Sequence, residues 1–157
     1  MKPKIYIETS VISYLTARMS RDIITSAHQQ ITHDWWDNRR IKFQLYASQL
    51  VISEAEKGDK NAAEKRLNVL KDITLLELNK ETVELADIFI KHKNISKKVS
   101  EDIFHIAIAT IYGLDYLLTW NCKHIANAEI HKKIAKICIN EGYEMPTICT
   151  PEELMGE

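Results

Sequence analysis

Four widely separated positions carry side chains suited to acid or metal chemistry: Glu8, Glu54, Asp102 and Asn121. Three carboxylates brought to one place would repel, each raising the others' pKa, unless a cation offset their charge. Oxygen donors of this kind suit hard divalent ions, Mg²⁺ or Mn²⁺, and no thiol is needed to hold them. Such ions activate water and clamp phosphates, so the chemistry indicated is phosphoryl transfer. The bland alternative is strongest for Glu8. It stands where a strand gives way to a helix, and an acid there is favoured by the helix dipole alone. Both readings stay open on position.

Convergence depends on the elements that carry these residues. Lys4-Ile5-Tyr6-Ile7 is a β-rich run behind Pro3, followed by Thr9 or Ser10 as the cap of a helix. Arg21 to Arg40 has helical periodicity, with Ile23, Ile24, Ala27, Ile31 and Trp35 as the expected inner face; Trp35 and Trp36 are expected to pack that helix down. Phe43 to Ala47 reads as a second strand, with Ser48 capping a helix that carries Glu54 in its second turn. Asp59 caps the next helix, Ile73 to Leu76 makes a third strand, and Lys80 to His92 another helix. The segment Lys91 to Lys98 reads as a basic loop leading into Ser100-Glu101-Asp102. There a nearly all-apolar helix begins, ending at Gly113, and Tyr116 to Thr119 forms a buried strand. A helix from Ala128 to Asn140 and a strand at Thr147 to Cys149 complete the order. Strands joined by helices imply a three-layer α/β/α sandwich with a mainly parallel central sheet of four to five strands, a single domain over residues 1–157. Ligands of open parallel sheets bind at the carboxyl edge, where the order of connections reverses. Glu8 ends the first strand, Glu54 lies after the second, Asp102 opens the helix feeding the fourth, and Asn121 follows it.

Composition narrows the class. A chain of 157 residues with 45% hydrophobic and 27% charged residues is ordinary for a globular domain. Its net charge of −1 supplies no global attraction for nucleic acid, so such a partner needs a local basic patch. Cys122, Cys138 and Cys149 fit no zinc or redox spacing and are expected as free thiols in a reducing compartment. With no apolar signal region in MKPKIYIE and no long apolar run, the expectation is a soluble cytoplasmic protein without a membrane partner.

The same segments resemble the PIN-domain family, which includes the VapC-type toxins. IYIETSVISYL looks like the family's first strand and turn. SQLVISEAEKG looks like its Ser-to-Glu helix with a following glycine, SEDIFHIAIAT like the helix of the third acid, and LLTWNCKHI like the closing Thr-x-Asn segment. The resemblance spans nearly the whole chain and implies a metal-dependent endoribonuclease, the toxin of a toxin–antitoxin pair. It implies Glu8, Glu54 and Asp102 as metal ligands, with Asn121 completing the catalytic set. Thr9 and Ser10 would orient water or a phosphate oxygen, and Lys123, His124, Lys97 and Lys98 would follow the RNA backbone. An antitoxin protein and a homodimer are the partners implied besides RNA. Two departures stand out. Glu8 replaces the family's first Asp, moving the oxygens by roughly one bond length, ~1.5 Å, and Asn121 replaces the fourth acid. A weakened domain that only binds RNA or protein is therefore the alternative. A receiver-type domain is a third, disfavoured by the single acid after the first strand and by the lack of a lysine after Ile148. His105, on the apolar helix, is expected as a satisfied core histidine, and a capping role for His124 stands beside RNA contact. A structure that scattered Glu8, Glu54 and Asp102 by more than a metal-bridged gap, or buried any one of them in a private salt link, would end the case for chemistry.

Overall fold

The computed structural model describes residues 1–93 and 97–157, and all their side chains but those of 93, 97 and 98. The strands are β1 (Lys4–Ile7), β2 (Gln44–Ser48), β3 (Thr74–Leu76), β4 (Tyr116–Leu118) and β5 (Thr147–Cys149). The helices are α1 (Thr9–Thr16), α2 (Ile23–Asn38), α3 (Gln49–Ala55), α4 (Lys60–Leu70), α5 (Lys80–Lys93), α6 (Lys97–Ile111) and α7 (Ala128–Asn140). All strand pairs are parallel, and the sheet order is β3-β2-β1-β4-β5. The chain winds outward from β1 through β2 to β3, then crosses to the other side of β1 for β4 and β5. The reversal falls between β1 and β4, so the crevice beyond their carboxyl ends is the place where this topology builds sites.

β1 is the middle strand, and its sequence shows why: Ile5, Tyr6 and Ile7 are fully buried, a continuous run rather than an alternation. Leu117 and Leu118 beside it are equally buried, in register Tyr6 to Leu117 and Ile7 to Leu118. α6 contributes Ile103, Ile106, Ala107, Ile108 and Ala109 to the same core, and Gly113, with φ 63, takes the left-handed turn that ends this segment. The layered architecture expected from the sequence is the one observed.

Three details differ. α6 begins at Lys97 rather than at Ser100, so Asp102 lies in its second turn and not at its opening. Lysine is a good helix former and nothing between Lys97 and Ser100 breaks a helix. A short 3-10 turn, Arg40–Lys42, intervenes before β2 and leaves Phe43 outside the strand. On α2 the inner face is Gln29, Thr32 and Trp35, while Ile23 and Ile24 are 84% and 68% exposed. The polar face wins because it serves the preceding loop. Gln29 accepts from Ser20 N–H (2.8 Å) and donates to the Arg18 carbonyl (2.9 Å), satisfying backbone groups that burial would otherwise leave unpaired. Trp35 is core, and half-buried Trp36 lies under the Arg40 guanidinium at 4.8 Å.

Candidate active site

Glu8 is the first residue beyond β1. Its N–H donates to the Leu118 carbonyl (3.0 Å), carrying the β1–β4 ladder one residue further, and it then caps α1. The side chain turns back over that cap. Oε2 accepts from Ser10 N–H (3.1 Å), from the Thr119 hydroxyl (2.7 Å) and from the Ser10 hydroxyl. The two hydroxyls are themselves held by the chain after β4. Trp120 N–H donates to Ser10 Oγ (2.8 Å), and Asn121 N–H to Thr119 Oγ1 (2.9 Å). With 4% exposure, the Glu8 carboxylate is nearly withdrawn from water, and these donors replace its hydration. The cap and the site acid are thus one residue: every bond falls on Oε2, and among the described residues Oε1 has no partner.

Glu54 arrives from the other side. Ser48 caps α3, its Oγ accepting from Val51 N–H (3.3 Å), and Glu54 one turn further on is directed inward, its side chain 19% exposed. Its Oε1 accepts from the Thr9 hydroxyl (2.6 Å) and faces His105 Nε2 at 2.7 Å. His105 lies on α6 with no exposed surface, its Nδ1 2.7 Å from the Tyr6 hydroxyl, which is in turn 2.7 Å from Ser48 Oγ. One ligand atom from each of Glu8, Glu54 and His105 can be chosen so that all lie within 4.8 Å of one another.

The electrostatics follow from this packing. Burial is the largest influence on His105 and favours the neutral ring. The Glu54 hydrogen bond and the fields of Glu8, Glu54 and Asp102 outweigh it, leaving the pKa above its usual value. Glu54 mirrors this. Burial pushes it up, but the bond and charge of His105, the Thr9 hydroxyl and Lys57 bring it below the ordinary carboxylate value. Burial holds the Tyr6 phenol well above 10.0, so it stays protonated.

Asp102 comes close without joining that group. It lies one helical turn before His105 and therefore on the same side of α6. Its Oδ2 is 2.8 Å from His124 Nδ1. His124 is oriented by its own backbone, donating N–H to Asn121 Oδ1 (3.1 Å), so the Asn121 amide oxygen serves the loop after β4. Two of the three expected acids therefore meet, while the third stands beside them paired with histidine. Thr9 and Ser10 hold Glu54 and Glu8. Lys123 and Glu101 are exposed, and the side chains of Lys97 and Lys98 lie outside the described residues. His105 is the satisfied core histidine expected, but what satisfies it is Glu54. Its three-residue offset from Asp102 was the available signal. The three thiols are free, with Cys122 exposed and the others buried.

The parallel α/β/α sandwich with acids at its switch point has a PIN-like fold. Among solved structures it is similar to VapC20 of Mycobacterium tuberculosis, a sarcin–ricin-loop-cleaving toxin, with TM-score 0.59 and 14% identity over 78% of this chain and 94% of that one. At that identity the likeness is one of fold. No family model matches the sequence, and no curated protein matches it.

Proposed function

We propose that this chain is a divalent-metal-dependent ribonuclease, the toxin of a toxin–antitoxin pair. The observation that carries it is the pair Glu8 and Glu54, brought together from beyond the carboxyl ends of the adjacent strands β1 and β2, each held by one oxygen with the other unbonded among the described residues. That donor set fits a hard cation. Two carboxylates whose residues can bring ligand atoms within 4.8 Å of one another, each with one oxygen that has no hydrogen-bond donor among the described residues, are what Mg²⁺ or Mn²⁺ takes up, and their mutual repulsion is what it offsets. Glu8 and Glu54 would hold the ion, with Asp102 as a third acid from the neighbouring turn of α6. Bound there, the ion supplies Lewis acidity toward water and the scissile phosphate.

The protein's own groups set the geometry. Ser10 and Thr119 keep the Glu8 carboxylate from rotating, and Thr9 does the same for Glu54. On the loop after β4, Lys123 offers a cationic contact to an RNA backbone and His124 a ring nitrogen for hydrogen bonding. Single-stranded or looped RNA fits an open edge better than a duplex does. VapC20, which shares the fold, is a toxin that cleaves the sarcin–ricin loop. A cytoplasmic homodimer held in check by an antitoxin belongs to the same proposal. Among the described residues, no helix is long and apolar enough to cross a membrane.

A second reading has a specific observation behind it. Asp102 is engaged by His124, and Asn121 brings no charge, which suits a domain that binds RNA without cleaving it. Calorimetry with millimolar Mn²⁺ separates the two. The nuclease reading expects binding heat that Glu54→Ala removes and Asp102→Ala weakens, together with Mn²⁺-dependent cleavage of a structured RNA. No heat sensitive to either substitution would sink it.

A further inference from the structure

Behind the carboxylate pair lies a buried polar chain, Val51 N–H, Ser48 Oγ, Tyr6 OH, His105, Glu54, which runs from the cap of α3 through β1 and α6 back to the acid. Its proton order is constrained. Ser48 Oγ accepts from Val51, so its own proton is free for Tyr6; Tyr6 then donates to Nδ1, and the imidazole carries its proton on Nε2. If the ring is doubly protonated the upper links reverse, but Nε2 still carries a proton. The remaining arrangement, a neutral ring protonated only on Nδ1, would set two lone pairs against each other at 2.7 Å from Glu54. In both allowed states Nε2 donates to Glu54 Oε1.

We propose that His105 is a positioning residue of the metal centre: its Nε2–H fixes Oε1 of Glu54, leaving Oε2 as the oxygen available to a cation. Tyr6 and Ser48 fix the ring in turn. This rests on the metal-site reading. Although a His105 nitrogen lies within reach of both acids, the ring is not a ligand. Each nitrogen already has a partner at 2.7 Å, and the ring has no exposed surface through which to turn. The arrangement has the logic of outer groups that orient a ligand and set its basicity, whose loss typically costs roughly 10–100-fold in metal affinity.

The test uses the full chain with Mn²⁺ as probe. His105→Leu removes the donor, His105→Gln offers an amide N–H near the position of Nε2, and Tyr6→Phe deletes only the upper hydroxyl; circular dichroism checks that each is folded. Calorimetry is expected to show about 10–100-fold weaker Mn²⁺ binding for His105→Leu, partial recovery for His105→Gln and a smaller loss for Tyr6→Phe. Electron spin-echo spectra of the Mn²⁺-loaded wild type are expected to show no directly bonded nitrogen. A directly coupled nitrogen that disappears in His105→Leu or His105→Gln would make His105 a ligand and overturn the proposal. Wild-type affinity in folded His105→Leu would overturn it, as would equal losses in the Leu and Gln variants. Should the Leu variant not fold, Gln and Tyr6→Phe decide: a loss under about 10-fold in each supports the proposal, and wild-type affinity in Tyr6→Phe with a loss of roughly 10–100-fold in His105→Gln overturns it. In each of these outcomes the wild type still binds the ion, and the metal-site reading survives. If the wild type shows no Mn²⁺ binding that Glu54→Ala abolishes, that reading fails and this inference fails with it.

Discussion

Replacing Glu8 by glutamine separates the two roles combined in that residue. The amide keeps the shape and an acceptor oxygen for Ser10 N–H and the hydroxyls of Ser10 and Thr119, but it removes the charge. Charge assistance in three hydrogen bonds is worth roughly 1 kcal/mol apiece, about 3 kcal/mol in all. Against this stands repulsion from Glu54. At a separation within 4.8 Å, two like charges cost roughly 3 kcal/mol at an effective dielectric constant of about 20. The terms nearly cancel, so metal-free Glu8→Gln should match the wild type to within about 1–2 kcal/mol, a few degrees in Tm for a domain of this size. With metal the proteins part. An ion at ~100 times its Kd stabilises the wild type by about 2.7 kcal/mol, which is roughly 5–11 °C, and the variant should lose most of that shift. Thermal unfolding in EDTA and in millimolar Mn²⁺ measures both numbers. A variant that loses more than ~10 °C without metal yet keeps the full Mn²⁺ shift would show Glu8 to be a structural cap alone, and the reasoning would be wrong.

Two further outcomes are expected. In EDTA, the stability that His105→Gln removes should depend on pH in a defined window. Glu54, lowered from 4.5, contributes above that value and loses its contribution as pH falls through its lowered native value. His105, raised from 6.5, contributes fully below that value and loses its contribution as pH rises through its raised native value. The deficit measured by urea unfolding should therefore be widest between 4.5 and 6.5 and should narrow at alkaline pH; a flat profile would contradict the pairing. Thr32→Val removes the acceptor of the buried Trp120 indole N–H, now at 2.7 Å, and should cost about 1–3 kcal/mol in urea while leaving Mn²⁺ affinity unchanged. A loss under ~0.5 kcal/mol would mean the indole finds another partner.

Most of the fold was legible because strand and helix signals are clean where burial is complete. The apolar run at β1, the Ser48 and Asp59 caps, and the span of α7 stand where periodicity and capping residues put them. On α2 hydrophobicity alone misplaces the inner face, because what that face must bond decides which residues turn inward. Gln29 and Thr32 are inward for their partners, Ile23 and Ile24 outward despite their character. In the site, Glu8 and Glu54 could be found from their positions after β1 and early in α3. The histidine contacts could not. That His105 reaches Glu54 and His124 reaches Asp102 depends on how α6 is rotated against β1 and on the loop after β4. Beyond the three-residue offset that puts His105 on the same side of α6 as Asp102, neither leaves a trace in local sequence.

The bond from Thr119 to Glu8 spans 111 positions, and it has a consequence for a chain emerging from the ribosome. A nascent polypeptide that has reached Asp102 already contains all three acids. It does not yet contain the strand that turns β1 from an edge into a centre, nor the hydroxyl and amide groups that hold the first carboxylate in place. Until residues 116–121 have left the exit tunnel, the ingredients are present and the pocket is not. The candidate site is thereby withheld until well over three quarters of the protein has been made.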